Sequence, residues 1–248
     1  MTRTVVGFVC ALKAEARHLG KGVPRNPLVT RLADGTLLSI CGMGGAAAAA
    51  GAGALIDAGA GALVSWGMAG GLDPSLTCGR IFLPGEVSAT DGAPIATSRR
   101  WREHLSAALA LRQPLAGGRL LTSPRAIASA AAKAALFRET GAAAVDMESR
   151  AVAQVALSHE APFIAVRVIV DGASDALPAA VSEAADANGQ LRVGRLMARM
   201  LLAPAELRSL LRLARRYSTA NRVLAAVARA GHHALRAPAS GGSDASLS

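Results

Sequence analysis

Two strongly apolar stretches constrain this chain most. Thr4–Leu12 is a continuous apolar run that reads as a strand buried on both faces, and Phe163–Val170, broken only by Arg167, is the most β-branched run in the sequence. Strands of that kind exist where helices cover both sides of a sheet. The remaining chain must therefore supply helices between strands, and its pattern does so.

Leu28–Ala33, the dipeptide Asp34-Gly35 and Thr36–Cys41 predict a β-hairpin with a two-residue turn. An Ala-rich helix is expected over 46–59. Strands follow at Ala62–Trp66 and Arg80–Leu83, then helices at Ser98–Leu109 and Pro124–Phe137, the second with proline in its first turn. Strand Ala142–Val145 and helix Met147–Ser158 lead into Phe163–Val170. Gly172–Asn188 reads as a loop or lid, and residues after about 189 as helical. The expectation is an α/β fold, with helices on both faces of a mixed, mostly parallel sheet. Domain organisation is read as a catalytic domain over 1–202, a basic helical extension over 203–236 and a disordered Ser/Gly/Ala-rich tail over 237–248.

Three carboxylates fall where such a sheet would present them. Glu15 follows the first strand, Glu148 lies in Val145-Asp146-Met147-Glu148-Ser149, and Asp171 ends the last strand. Open α/β sheets bind ligands at strand ends, where a poorly solvated carboxylate can be tuned for proton transfer. Each alone has a plain explanation: a solvated helix residue, a helix N-terminal acid favoured by the dipole, a loop-starting aspartate. Together, with two glycine turns between them, they point to a site.

The turns are Gly42-Met43-Gly44-Gly45 and Gly67-Met68-Ala69-Gly70-Gly71. The first can be written G-x-G-x-x-A, a degenerate dinucleotide fingerprint, but the next strand ends in Ser65-Trp66 and not in an acid. A tight turn, or a loop whose bare N–H groups approach an anion or sugar at a helix N-terminus, fits better. Three glycines in five positions of the second turn suit close backbone approach to a ligand. Three acids and glycine loops match cleavage of an N-glycosidic bond: one acid protonates the departing base, one acceptor grips the sugar hydroxyls, one base activates water. Phosphate could replace water, and it would then need donors in place of a base.

Composition narrows the alternatives. Aromatic residues make up only 3%, which argues against a base-stacking nucleic-acid binder. The net charge of +10 is concentrated: residues 192–248 carry +8 and residues 1–191 only +2. Cys10, Cys41 and Cys78 are odd in number and lack paired spacing, so no disulfide framework or zinc site is expected and a reducing cytoplasm fits. No apolar run approaches the roughly 20 residues of a membrane span.

At this point the motifs resemble a known family. Val6-Gly7-Phe8-Val9-Cys10-Ala11-Leu12-Lys13-Ala14-Glu15, both glycine loops, Val-Asp-Met-Glu-Ser and Val-Arg-Val-Ile-Val-Asp-Gly-Ala are similar, in order and spacing, to those of methylthioadenosine/S-adenosylhomocysteine nucleosidases and purine nucleoside phosphorylases. Within that superfamily the stretches look most like the hopanoid-associated phosphorylases, which implies release of adenine from adenosylhopane. The resemblance spans roughly 4–200 and implies a three-layer α/β/α sandwich, a homo-oligomer, no metal and no organic cofactor, with phosphate a candidate co-substrate. Carried over by position, it implies that Glu15 activates the nucleophile and Asp171 protonates the purine at N7. Glu148 would bind the ribose hydroxyls beside Met147, with Met68, Ala69, Gly70 and Gly44 completing the substrate contacts.

Two departures bear on the substrate. Thr122-Ser123-Pro124-Arg125 occupies the region where the nucleosidases place a phenylalanine on adenine, and Met68 stands where serine is usual. A thionucleoside is therefore the second expectation and a lipid-linked nucleoside the first. Water and phosphate stay open, with Arg125 and Arg167 as possible phosphate donors. A nucleoside-binding protein without turnover, and more remotely a nicotinamide-dependent oxidoreductase, remain as other classes. From Leu191 to Leu235 apolar residues (Leu196, Met200, Leu207, Leu210, Leu211, Ala214) alternate with arginines. Such a stretch can lie on an anionic bilayer, giving a peripheral contact at the inner face of the membrane, or pack on the domain with its arginines in water.

Overall fold

The structure, a computed structural model, describes residues 4–20, 28–110, 115–176 and 207–236. The strands are β1 Val6–Cys10, β2 Thr30–Arg31, β3 Leu37–Ile40, β4 Ala62–Gly71, β5 Ile81–Phe82, β6 Glu86–Ser88, β7 Ile95–Ala96, β8 Leu115–Ala116, β9 Arg119–Thr122, β10 Ala144–Asp146 and β11 Phe163–Asp171. The helices are α1 Lys13–Ala16, α2 Gly45–Asp57, α3 Arg99–Leu109, α4 Ala130–Thr140, α5 Ser149–Ser158, α6 Leu207–Ala230 and α7 His232–Leu235.

Among the described residues the eleven strands form one mixed sheet whose main path is β2-β3-β1-β4-β10-β9-β6-β7. β4 is its axis. It pairs in parallel with β1 over Ala62–Trp66 and with β11 from Leu63 onward, and its end, Gly70–Gly71, meets β10 antiparallel. β11 also carries β5, and β5 carries β8.

Side chains alternate across this sheet, and each face has its own core. Val6, Phe8, Val64, Trp66, Val166 and Val168 pack with Trp101 and Leu105 of α3, Leu224 and Val227 of α6, and Leu235 of α7. On the other side Val9, Leu63, Ala165 and Ile169 meet Ala48, Ala52 and Leu55 of α2 and Val152 and Ala156 of α5. Helices thus cover both faces, as the apolar runs require. The alanines of α2 suit its close packing on α5, because small side chains let two helices approach. α6 is part of the first core: Ala220, Leu224 and Val227 are buried. Arg236, after α7, is buried as well. It pairs with Asp34, donates to the Leu19 carbonyl at 2.8 Å and lies 5.5 Å above the Phe8 ring.

Several expectations are corrected. The strand expected at Ala62–Trp66 runs on to Gly71, so Gly67–Gly71 is a strand end and not a turn. Pairing on both edges overrides the low strand preference of glycine there. The helix expected over Pro124–Phe137 begins only at Ala130, where the Ser129 hydroxyl accepts from the Ala132 N–H at 3.1 Å. The hairpin shortens its first strand to Thr30–Arg31, and Ala33-Asp34-Gly35 form a three-residue loop. Only Gly35 has positive φ, at 86°, whereas a two-residue turn of the expected kind needs two such residues. The short strands β6 to β9 escape a sequence reading because β6, β8 and β9 are set by distant partners and β7 is a two-residue edge strand on β6. The expected loop beyond 176, the helical onset at 189 and the 237–248 tail lie outside the described residues.

Candidate active site

The site is assembled where β1, β4, β10 and β11 end. β1 gives way to the single turn α1, and this turn holds Glu15 at 4% exposure. Its Oε1 accepts the Met68 N–H at 3.1 Å and its Oε2 the Leu12 N–H at 3.2 Å. The Trp66 indole donates to the Glu15 carbonyl at 3.1 Å, fixing the turn from below. Residue 67 has to be glycine for this carboxylate to fit: a Cβ there would lie 2.9 Å from Glu15 Oε1. Burial raises the Glu15 pKa to about 7 against the opposing charge of Arg167, and nearby Glu148 adds to the rise.

Glu148 begins α5. Its Oε1 accepts the Gly44 N–H at 2.8 Å and its Oε2 the Met147 N–H at 3.3 Å. Gly44 precedes α2 at φ 96°, a conformation that glycine adopts without steric cost and that turns its N–H toward the carboxylate. Burial is also the main cause of the raised Glu148 pKa, with Asp146 adding to it.

Beneath both acids lies a buried polar network. Arg167, in mid-strand and 2% exposed, donates from Nε and Nη2 to Asp146 at 2.9 and 2.7 Å. Nη2 also reaches Ser65 Oγ at 2.6 Å and Ser149 Oγ at 2.9 Å. Asp146 accepts from the Thr122 hydroxyl at 2.7 Å and from the Glu148 and Ser149 N–H groups at the start of α5. A buried arginine so fully engaged is a structural cation. It offsets the carboxylates around it without offering a vacant fork to an anion.

Asp171 ends β11, where burial raises its pKa and Lys133 opposes the rise. Lys133, on α4 and 1% exposed, pairs with Asp171 Oδ2 and donates to the Gly172 carbonyl at 2.8 Å.

These groups border one open cleft of about 190 Å³. Glu15, Met68, Ala69, Gly70, Met147, Glu148 and Asp171 all line it, together with Met43, Arg125, Ile127 and Lys133. Gly44 stays behind Glu148 and reaches the site only through its N–H. Glu15 and Glu148 further share a smaller recess with Ser65, Gly67 and Arg167, which Asp171 does not border. No aromatic side chain lines the cleft among the described residues. The arrangement provides a base near neutrality at one end and a carboxyl paired with an ammonium elsewhere along the wall. Among the described residues no cluster of His, Cys, Asp or Glu could hold a metal ion.

Sequence reasoning missed Lys133, Asp146 and Met43, and gave Arg167 a role as a phosphate donor that its buried bonds do not favour. One signal for Lys133 existed: the chain uses lysine only at 13, 21 and 133 and arginine everywhere else. Nothing in its Ala-rich neighbourhood indicated burial.

Comparison with known proteins bears on the family and the fold. The model of the Phosphorylase superfamily matches residues 6–203. The 5'-methylthioadenosine/S-adenosylhomocysteine nucleosidase of Neisseria meningitidis, solved with methylthio-immucillin-A, superposes at TM-score 0.70 with 18% identity, over 92% of this chain and 97% of that one. The futalosine hydrolase of Helicobacter pylori superposes at 0.66 with 16% identity, over 91% and 97%. At such identities the likeness speaks for the fold. No protein of curated function matches the chain by sequence.

Proposed function

Because this chain belongs to the phosphorylase superfamily, we propose that it is an enzyme that cleaves the N-glycosidic bond of a purine nucleoside, with water as the nucleophile. The observation that carries this reading is the convergence of Glu15, Glu148 and Asp171 on one cleft from three separate parts of the chain. Asp171 protonates the purine at N7 as the C1′–N9 bond breaks, Glu148 accepts from the ribose hydroxyls, and Glu15 takes the proton of the attacking water.

The charge of the recess favours water over phosphate. Two carboxylates border it, and Nε and Nη2 of Arg167 are committed to Asp146, Ser65 and Ser149, with Nη1 on the Val166 carbonyl at 3.4 Å. A phosphate dianion there would meet like charge at short range in a poorly screened site. A water molecule needs only a base of suitable pKa, and Glu15 at about 7 is one.

The substrate we assign is an adenine nucleoside with an apolar 5′ substituent, adenosylhopane. Supporting it are the resemblance of the motifs to those of the hopanoid-associated phosphorylases and the aliphatic cleft wall of Leu12, Met43, Met68, Ile127 and Val170, where no aromatic side chain stands among the described residues. A homo-oligomer is part of the same reading, as is peripheral contact with an anionic bilayer through the exposed Arg215, Arg222 and Arg229 of α6. No helix among the described residues is long and apolar enough to cross a membrane.

Adenine release from adenosylhopane in detergent, measured with and without phosphate beside methylthioadenosine, tests the assignment. The expected outcome is release from adenosylhopane at a rate independent of phosphate, and Asp171→Asn slowing it by about 10²–10⁴-fold, the range for general acid catalysis. Release from methylthioadenosine alone would replace the substrate, and strict dependence on phosphate would replace the nucleophile.

A further inference from the structure

The acid of this site is not a lone carboxyl. Asp171 is held from α4 by Lys133, whose Nζ engages Asp171 Oδ2 and the Gly172 carbonyl while the side chain is 1% exposed. Both residues line the cleft. A buried lysine is costly unless fully paired, and pairing on one carboxylate oxygen leaves the other to meet a ligand. The purine-protonating role assigned above uses only that second oxygen.

We propose that Lys133 is the positioning residue of the general acid: it anchors Oδ2 so that Oδ1 faces the purine, and its ammonium stabilises the carboxylate formed when Asp171 gives up its proton. This rests on the function proposed above. In the step itself the Asp171 Oδ1–H bond breaks and the purine N7–H bond forms. The electron pair of C1′–N9 passes into the departing ring, and neutral purine leaves. Asp171 is then an anion beside a cation already in place, so no charge has to be reorganised at the moment of reaction. Water adds to C1′ and its proton passes to Glu15. Solvent protons later restore Asp171 as Glu15 releases its own.

Three other influences act on Asp171. Burial favours the proton-bearing form, Asp175 adds to that preference, and Arg216 on α6 opposes it. Arg216 is already bound to Asp175 at 2.6 Å, which leaves Lys133 as the cation in direct contact with the acid. Burial thus favours the proton on Asp171, and Lys133 stands in contact with the carboxylate that remains once the proton has left.

The test compares wild type, Lys133→Met and Lys133→Arg on an adenine nucleoside and on 4-nitrophenyl β-D-riboside, whose leaving group departs without protonation. Lys133→Met is expected to lose about 100-fold in kcat on the adenine nucleoside, the scale for one preorganised charge-stabilising donor, with KM little changed. On the nitrophenyl riboside it should stay within a few-fold of wild type, and Lys133→Arg should recover part of the loss. The alkaline limb of the rate profile should move to higher pH in Lys133→Met, because Asp171 loses the cation that favours its ionised form. Equal losses on both substrates would show a merely structural lysine and overturn the proposal, as would an unchanged kcat. A carbon-13 titration of the Asp171 carboxyl reads the pair without turnover: a higher pKa in Lys133→Met supports it, an unchanged one refutes it. A wild type inactive on every nucleoside, with that shift intact, would count against the proposed function and not against the pair.

Discussion

Glu15 shows how far one residue's surroundings set its chemistry. In sequence it is a glutamate two residues past a lysine, which in most chains would be a solvated helix residue. Here the turn of α1 tucks it under β4, and burial brings its pKa to about 7. Two consequences have definite signs. As the base for water it must be ionised, so kcat/KM should rise with pH through about 7 and fall again where Asp171 loses its proton, giving a bell that Glu15→Gln abolishes. For stability the folded protein holds this proton more tightly than the unfolded chain does, so the Glu15 contribution is complete below about pH 4.5 and is lost as pH approaches 7. By that linkage the loss amounts to about 3 kcal/mol. Denaturant unfolding at pH 5 and pH 8 should show wild type losing more stability between the two than Glu15→Gln. Parallel losses would mean that the carboxyl is ionised when folded.

At the scale of elements, legibility followed locality. Helices α2, α3 and α5 and strands β1, β4 and β11 could be read because alternation, apolar runs and glycine punctuation are properties of adjacent residues. Strands β6 to β9, two to four residues each, could not: β6, β8 and β9 pair with strands more than twenty residues away, and β7 pairs only with β6 over two residues, too few for a pattern. The same holds at the α4 boundary. Pro124 marks a turn of chain that lines the cleft through Arg125 and Ile127, and the helix waits for the Ser129 cap. The C-terminal elements are tied down by residues with no local signature. Arg236 pairs with Asp34 of the hairpin and stacks on Phe8 of β1, and the Trp101 indole donates to the Ala234 carbonyl at 2.7 Å. Arg236→Ala should lower unfolding stability by about 2–3 kcal/mol, toward the lower end of the cost of breaking a buried pair because Asp34 is partly solvated. Urea midpoints measure this, and a shift near zero would mean that α7 is not held by this contact.

Over the whole molecule the distribution of charge acquires a structural meaning. The basic helix α6 turns Leu224 and Val227 into the core and keeps Arg215, Arg222 and Arg229, seven residues apart, in solvent. Removing the segment would open the first core beside Phe8 and Val166, so deletion is a poor test of membrane contact. Replacing those three arginines by glutamine should leave the circular dichroism unchanged and weaken sedimentation with anionic vesicles at low salt, each charge contributing about 1 kcal/mol. Unaltered vesicle binding would place the contact, if any, on another surface.

The sequence by itself determined the layered α/β architecture, because strands without a wet side demand helices on both faces. It also placed Glu15, Glu148 and Asp171 at or just past strand ends, because those positions follow from the local pattern, but it passed over Asp146, which ends β10. Only the tertiary structure decided what those acids can do. Lys133 meets Asp171 across 38 residues and Arg167 meets Asp146 across 21. Met68 and Gly67 close on Glu15 from a strand fifty positions away. Proton affinity in a protein depends on burial and on the nearest opposite charge, and both are properties of packing between distant segments, which no stretch of neighbouring residues encodes.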